Sequence, residues 1–161
     1  MRTRFTDLLG IRYPIVQASM AWITDAVLAA AVSEAGGLGT IGPNAGCTTV
    51  TSDVGETGER LRDQIRKCKE LTDKPFAVNF VVGVIGWDRD YSDRCLEVGI
   101  EEGVPVAVVS QGSPMVYTPR LKEAGVKVIH VGSTVRHVQK AEEAGVDAVI
   151  VSGTEGGGHS G

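Results

Sequence analysis

The stretch Glu123-Ala124-Gly125-Val126-Lys127-Val128-Ile129-His130-Val131 decides the fold. An acid, an alanine and a glycine close one segment, and an apolar β-branched run opens the next with no linker between. The phrase recurs as Glu101-Glu102-Gly103-Val104 before the run 104–109 and as Glu143-Ala144-Gly145-Val146 before the run 146–151. A variant, Glu34-Ala35-Gly36-Gly37, stands earlier in the chain. The last three glycines lie 22 and 20 positions apart. A glycine just past a helix takes the left-handed conformation that stops it, so a strand can start at once. Short Val and Ile runs without alternation are the signature of strands covered on both faces.

Working outward, Leu61, Ile65, Cys68 and Leu71 form one helical stripe. Thr24 can cap a helix through Val27, Leu28, Ala31, Val32 and Ala35. Thr118-Pro119 has the cap-then-proline form of another helix start, and Val135, Val138 and Ala141 give the last helix a buried edge. Strands are expected at 14–18, 38–41, 76–81, 104–109, 127–131 and 147–151, six in all, alternating with five helices. Such alternation means a parallel sheet with right-handed crossovers. The candidates are an open doubly wound sheet and a TIM-type (β/α)8 barrel. The first turn, Ala18-Ser19-Met20-Ala21-Trp22, carries neither a GxGxxG fingerprint nor a P-loop. The near-constant repeat favours the barrel. A full barrel needs about 250 residues, so residues 1–161 are expected to be the N-terminal part of one barrel domain, with strands seven and eight absent.

The 161 residues suggest a single domain, and 42% hydrophobic content excludes disorder. A formal net charge of -4 without blocks of like charge argues against nucleic-acid and anionic-membrane partners. Cys47, Cys68 and Cys95 form no CxxC pair and read as reduced thiols, and no apolar run is long enough to span a bilayer. Both point to a cytoplasmic protein.

In parallel α/β folds ligands gather at the carboxyl ends of the strands. Those ends offer Gln17 to Met20, Gly42-Pro43-Asn44, Asn79, Ser110-Gln111-Gly112-Ser113, Gly132-Ser133 and the run 152–161. Gly156-Gly157-Gly158 would let backbone approach a flat ligand, and His159 beside them could act as acid or base. A flexible terminal tail is the competing reading. Asn79 interrupts an apolar strand, where its amide needs a ligand carbonyl or ring nitrogen, or loop backbone, as partner. Met20 and Trp22 could wall a ring or simply pack under a loop. His130 reads as a core histidine that could instead point into the barrel, and His137 as solvated. No metal site is expected.

At these residues the sequence resembles a known family. Residues 14–21, 34–39, 75–79 and 147–161 look like the nitronate monooxygenase (2-nitropropane dioxygenase) family, which includes the flavin-type enoyl-acyl-carrier-protein reductases. The resemblance covers the whole chain. It implies a TIM barrel that binds FMN, with Asn79, Ser152, Gly157 and Gly158 contacting the cofactor, Ala18, Ser19 and Met20 lining the isoalloxazine through backbone, and His159 as the catalytic histidine. Many members carry Gln where Ser152 stands, so one amide contact to the ring is expected to be missing here or replaced by water. The implied reaction passes electrons from alkyl nitronates to FMN and on to oxygen, yielding a carbonyl compound and nitrite. The alternatives are NADH-dependent enoyl reduction on the same scaffold, or a barrel fragment inactive without a partner chain. A homo-oligomer, or association with a chain that completes the barrel, is expected.

Overall fold

The computed structural model describes residues 2–83 and 86–157, leaving aside the side chains of residues 86 and 87. Its elements are α1 (Arg4–Leu9), α2 (Ala26–Glu34), β1 (Gly39–Ile41), α3 (Val54–Leu71), β2 (Phe76–Val81), α4 (Gly86–Glu101), β3 (Val106–Ser110), α5 (Thr118–Glu123), β4 (Lys127–Gly132), α6 (Val135–Glu143) and β5 (Ala148–Val151). All strand pairs are parallel, and their order across the sheet is β1-β2-β3-β4-β5. A doubly wound sheet reverses its order at a switch point. This one never does. The architecture is therefore α/β, part of the wall of a TIM-type (β/α)8 barrel.

The glycine stops behave as the repeat demands. Gly36, Gly103, Gly125 and Gly145 have φ of 99, 61, 76 and 78°. After each, the next amide reaches back five residues: Gly37 to Val32 O, Val104 to Gly99 O, Val126 to Leu121 O, and Val146 to Ala141 O. That is the Schellman closure, and it places every such turn at the amino end of a strand.

Two apolar layers flank the sheet. Outward-facing Ile41, Phe76, Val78, Phe80, Ala107, Val109 and Val128 pack against Ala26, Ala29, Ile65, Cys68, Leu96 and Leu121 of the helical layer. Inward-facing Leu38, Ala77, Val106, Val108 and Ile129 pack with Leu9 and Ile11. Helix α1 thus plugs the bottom of the barrel, and Lys127 Nζ donates to Leu8 O to tie it there. The helix is absent from the sequence reading because it is short and its capping box uses Thr6 rather than Glu or Gln opposite Thr3.

Three local expectations are corrected. Residues 14–18 lie beside β1 as the first strand should, but pair through a single parallel bridge, Val16 to Leu38. The ladder stops because Thr40 N donates to the side-chain Oε1 of Gln17 (3.0 Å), not to a backbone carbonyl. The cap of α2 is Asp25, whose Oδ1 accepts from Val27 N and Leu28 N, since the Thr24 hydroxyl is occupied with Met20. Helix α5 starts at Thr118 itself, after Tyr117, without a side-chain cap bond.

Outside, α3 is clamped to the end of α4 by Arg62, which meets Glu101 at 2.6 Å and Glu102 at 2.7 Å, and by Arg66 on Glu102 at 2.8 Å.

Candidate functional site

The carboxyl ends of β1, β2 and β3 open into a cleft of about 830 Å³. It runs from Asn79 past Trp22, Asn44 and Gln111 and outward between α3 and α4, where Leu61 and Cys95 line it. Trp22, Asn44 and Gln111 have φ of 70, 54 and 61° and are the non-glycine residues with positive φ among the described residues. All three line the cleft. A side chain in that conformation costs roughly 1–2 kcal/mol, and such strain persists where the surroundings over-determine it, often at ligand sites. At Trp22 the fixing bonds are visible. Its amide donates to Pro43 O (2.9 Å), and Thr24 Oγ1 meets both Met20 N (2.7 Å) and Met20 O (2.8 Å).

Asn79 is 9% exposed. Its Nδ2 donates across to β3, to Val108 O at 2.9 Å and Ser110 Oγ at 3.1 Å. The amide expected to meet a ligand carbonyl or ring nitrogen spends its N–H groups on the protein, and its side chain still lines the cleft.

Gln17 braces the loop before Met20, with Nε2 donating to Ala18 O and Oε1 accepting from Thr40 N. Ala18 and Met20 are exposed and Ser19 half-buried. They stand next to Trp22 in the chain but are not among the residues that line the cleft. Ser152, half-buried, follows β5 and donates its amide to Gly132 O (3.0 Å). A Cβ at Gly157, which is exposed, would meet nothing within 4 Å among the described residues. Gly158 and His159 lie outside the described residues. The structure therefore places Asn79 and Trp22 on one cleft and keeps Ser152 on a separate loop, after β5, three strand positions from β2 in the sheet order.

His130 is buried and pairs in register with Val109, which faces the helices, so it points out of the barrel rather than into it. Burial, and the nearby His137, push its imidazole below the ordinary value. His137 is exposed, and its Nδ1 lies 3.3 Å from Ser133 N. Burial pushes the Cys68 and Cys95 thiols up to about 11. Asn44, Ser110 and Gln111 stood among the strand-end residues in the sequence with nothing to single them out. The Gln111-Gly112 pair was the available signal, since a glycine after a polar residue often marks a left-handed turn. Among the described residues there is no group of three His, Cys, Asp or Glu side chains that could hold a metal, and no helix long and apolar enough to cross a membrane.

The sequence matches the nitronate monooxygenase family profile over residues 2–161. The chain belongs to the nitronate monooxygenase family. Within it, FabK from Thermotoga maritima is 44% identical with a TM-score of 0.85, over 100% of this chain and 47% of that one. A Mycobacterium tuberculosis protein named (3aS,4S,5R,7aS)-5-hydroxy-7a-methyl-1-oxo-octahydro-1H-indene-4-carboxyl-CoA dehydrogenase is 40% identical over 161 residues, which is 41% of its length. A probable nitronate monooxygenase from Staphylococcus saprophyticus is 34% identical over 192 aligned positions, covering 100% of this chain and 51% of the relative. The chain thus spans about half the length of the relatives it matches, or less.

Proposed function

We propose that this chain forms the flavin-facing part of an FMN-dependent oxidoreductase that oxidises alkyl nitronates with oxygen to carbonyl compounds and nitrite. The observation that carries the reading is the cleft at the carboxyl ends of β1–β3, whose lining holds all the left-handed non-glycine residues of the described chain together with Asn79. A flat heteroaromatic ring with polar edges suits it in size, in its apolar walls and in the one side-chain oxygen that Asn79 has left to offer. Asn79, the backbone of Ala18, Ser19 and Met20, Ser152, Gly157 and Gly158 would hold the cofactor. Bound FMN supplies a reversible electron acceptor, and the protein's share is to orient substrate and control access. His159 stands to take the proton from the nitro-bearing carbon, or to balance the charge of an anionic nitronate.

A second reading has specific support. The relatives at 44% and 40% identity are FabK and a CoA-thioester dehydrogenase, both more similar than the 34% nitronate monooxygenase relative. The arm of the cleft lined by Leu61, Phe80, Val82 and Cys95 offers apolar room for an acyl group. On this reading NADH is the electron donor and an enoyl thioester the substrate. Stopped-flow mixing decides between them: a nitronate bleaches the flavin absorbance under the first, and NADH does so under the second. A purified protein that shows no flavin bands and takes up no FMN refutes both, and leaves a module whose barrel another chain completes. The free thiols Cys47, Cys68 and Cys95 suit a cytoplasmic setting.

A further inference from the structure

The cleft crosses from one face of the sheet to the other. Along β2, Ala77 belongs to the inward layer and Phe76, Val78 and Phe80 to the outward one, so by alternation Asn79 faces in. Asn79 and Phe80 both line the cleft, so the arm between α3 and α4 lies on the helical side of the sheet. Phe80 and Val82 line it from the sheet, Leu61 from α3 and Cys95 from α4. The arm is blind. Four residues past Cys95, a Cβ at Gly99 would lie 2.4 Å from Phe80 Cζ, so α4 backs directly onto that ring. Ile65, one turn past Leu61, and Leu96 are fully buried and lie outside the lining. Just beyond, Arg62 ties the two helices together through Glu101 (2.6 Å) and Glu102 (2.7 Å).

The entrance is built differently. Val50 lines the cleft yet is 85% exposed. Both of its neighbours are pinned. Arg60 donates to Thr49 O (2.6 Å) and Thr49 Oγ1 (3.1 Å), while the Thr51 hydroxyl donates to Glu56 (2.5 Å), which pairs with Arg60 (2.7 Å). An apolar side chain is thus held at the mouth, where a ligand passing inward would bury it. Charge stays at this end: Arg60 lines the mouth, whereas Leu61, Phe80, Val82 and Cys95 carry none. Polar outside and apolar inside, the arm matches a linear chain with a polar head. From Asp88 to Cys95, α4 advances roughly 10 Å at about 1.5 Å per residue, which suits a tail of medium length.

We propose that this arm is a length-limited slot for the unbranched alkyl tail of the substrate, entered past Val50 and stopped by Leu61, Phe80 and Cys95. Cys95 sets the longest tail that fits. The inference rests on the cleft being a substrate site, under either electron donor, and adds where the tail lies and what ends it.

The tail can be tested without cofactor or reacting head group. Straight-chain primary alcohols from butanol to dodecanol are titrated into the 161-residue protein, and methyl NMR follows Val50, Leu61, Val82 and Val151. Affinity should rise about threefold per added methylene as each is buried, then stop rising once the slot is full. The methyls of Val50, Leu61 and Val82 should shift, and those of Val151 on β5 should not. Cys95→Trp should cut octanol affinity by about tenfold or more, and Cys95→Ala should move the plateau to longer alcohols. The alanine variant keeps the test alive if the tryptophan does not fold. Affinity independent of chain length, or shifts at Val151 with none at Leu61, overturns the slot. A plateau that Cys95→Ala leaves in place overturns Cys95 as its end. None of these outcomes alters flavin reduction by a nitronate or by NADH, which stopped-flow mixing decides separately.

Discussion

Gly39→Ala tests how the barrel wall positions the site. A Cβ at Gly39 would lie 1.9 Å from Ala29 O, 2.6 Å from Ala29 C and 2.7 Å from Ala29 Cα. These are backbone atoms of α2 and cannot rotate aside. Relaxed carbon contacts need about 3.5 Å, so α2 must retreat by well over ~1 Å. That helix buries Ala26, Ala29 and Ala30 against the sheet, so its retreat also opens a void beside Ile41. Overpacking alone costs roughly 1–3 kcal/mol, and with the lost packing the expected destabilisation is about 3 kcal/mol or more. The shift also reaches the site. Thr24, just before α2, holds Met20 through its hydroxyl and accepts from Gly42 N at 3.0 Å through its carbonyl. Ligand affinity in the cleft should therefore fall together with stability. Urea unfolding with an unchanged m-value measures the first effect, with Gly103→Ala as the control. Gly103 has φ of 61° and nothing within 4 Å of its added Cβ, so it should lose only the roughly 1–2 kcal/mol of a left-handed alanine. If Gly39→Ala costs no more than Gly103→Ala, the close approach of α2 to β1 is wrong.

The remaining predictions are briefer. Burial holds His130 below its ordinary value, so the unfolded chain takes up a proton first as pH falls through about 6.5. Stability should be full above that pH and decline below it, and His130→Leu should flatten the decline in urea titrations run at several pH values. With their thiols pushed to about 11, Cys68 and Cys95 should resist iodoacetamide near pH 8 in the native protein and react once it is unfolded; mass spectrometry showing rapid native labelling of Cys68 would contradict its burial. His159→Asn should slow turnover by ~100-fold or more while flavin affinity holds, as for a general acid–base group; wild-type turnover would remove His159 from the mechanism. Strand β5 pairs only with β4 among the described residues, and an open edge invites further pairing. Sedimentation of the 161-residue chain should show association, and a monomer that binds FMN tightly would show that no further strands are needed.

By itself the sequence determined the repeat and, through it, where β1, β3, β4 and β5 begin. Glu-Ala-Gly followed by a Val-rich run is a local instruction: only glycine takes the left-handed turn at no steric cost, and β-branched residues favour the strand that follows. Gly103, Gly125 and Gly145 could therefore be read with no knowledge of their neighbours. Family resemblance, carried by motifs such as residues 75–79 and 147–161, was legible in the sequence too. What lay beyond the sequence were choices made between segments distant in the chain. The sequence favoured the barrel over the doubly wound sheet, but the pairing order β1-β2-β3-β4-β5 that bears it out exists only once the sheet forms. Whether residues 14–18 make a full strand depended on Gln17 meeting Thr40, 23 positions away. The polarity of Asn79 depended on Val108 and Ser110, 29 and 31 positions away, whose oxygens claim its amide protons. An amide can donate or accept with equal ease, so its role is set by its neighbours, and only the tertiary fold supplies them.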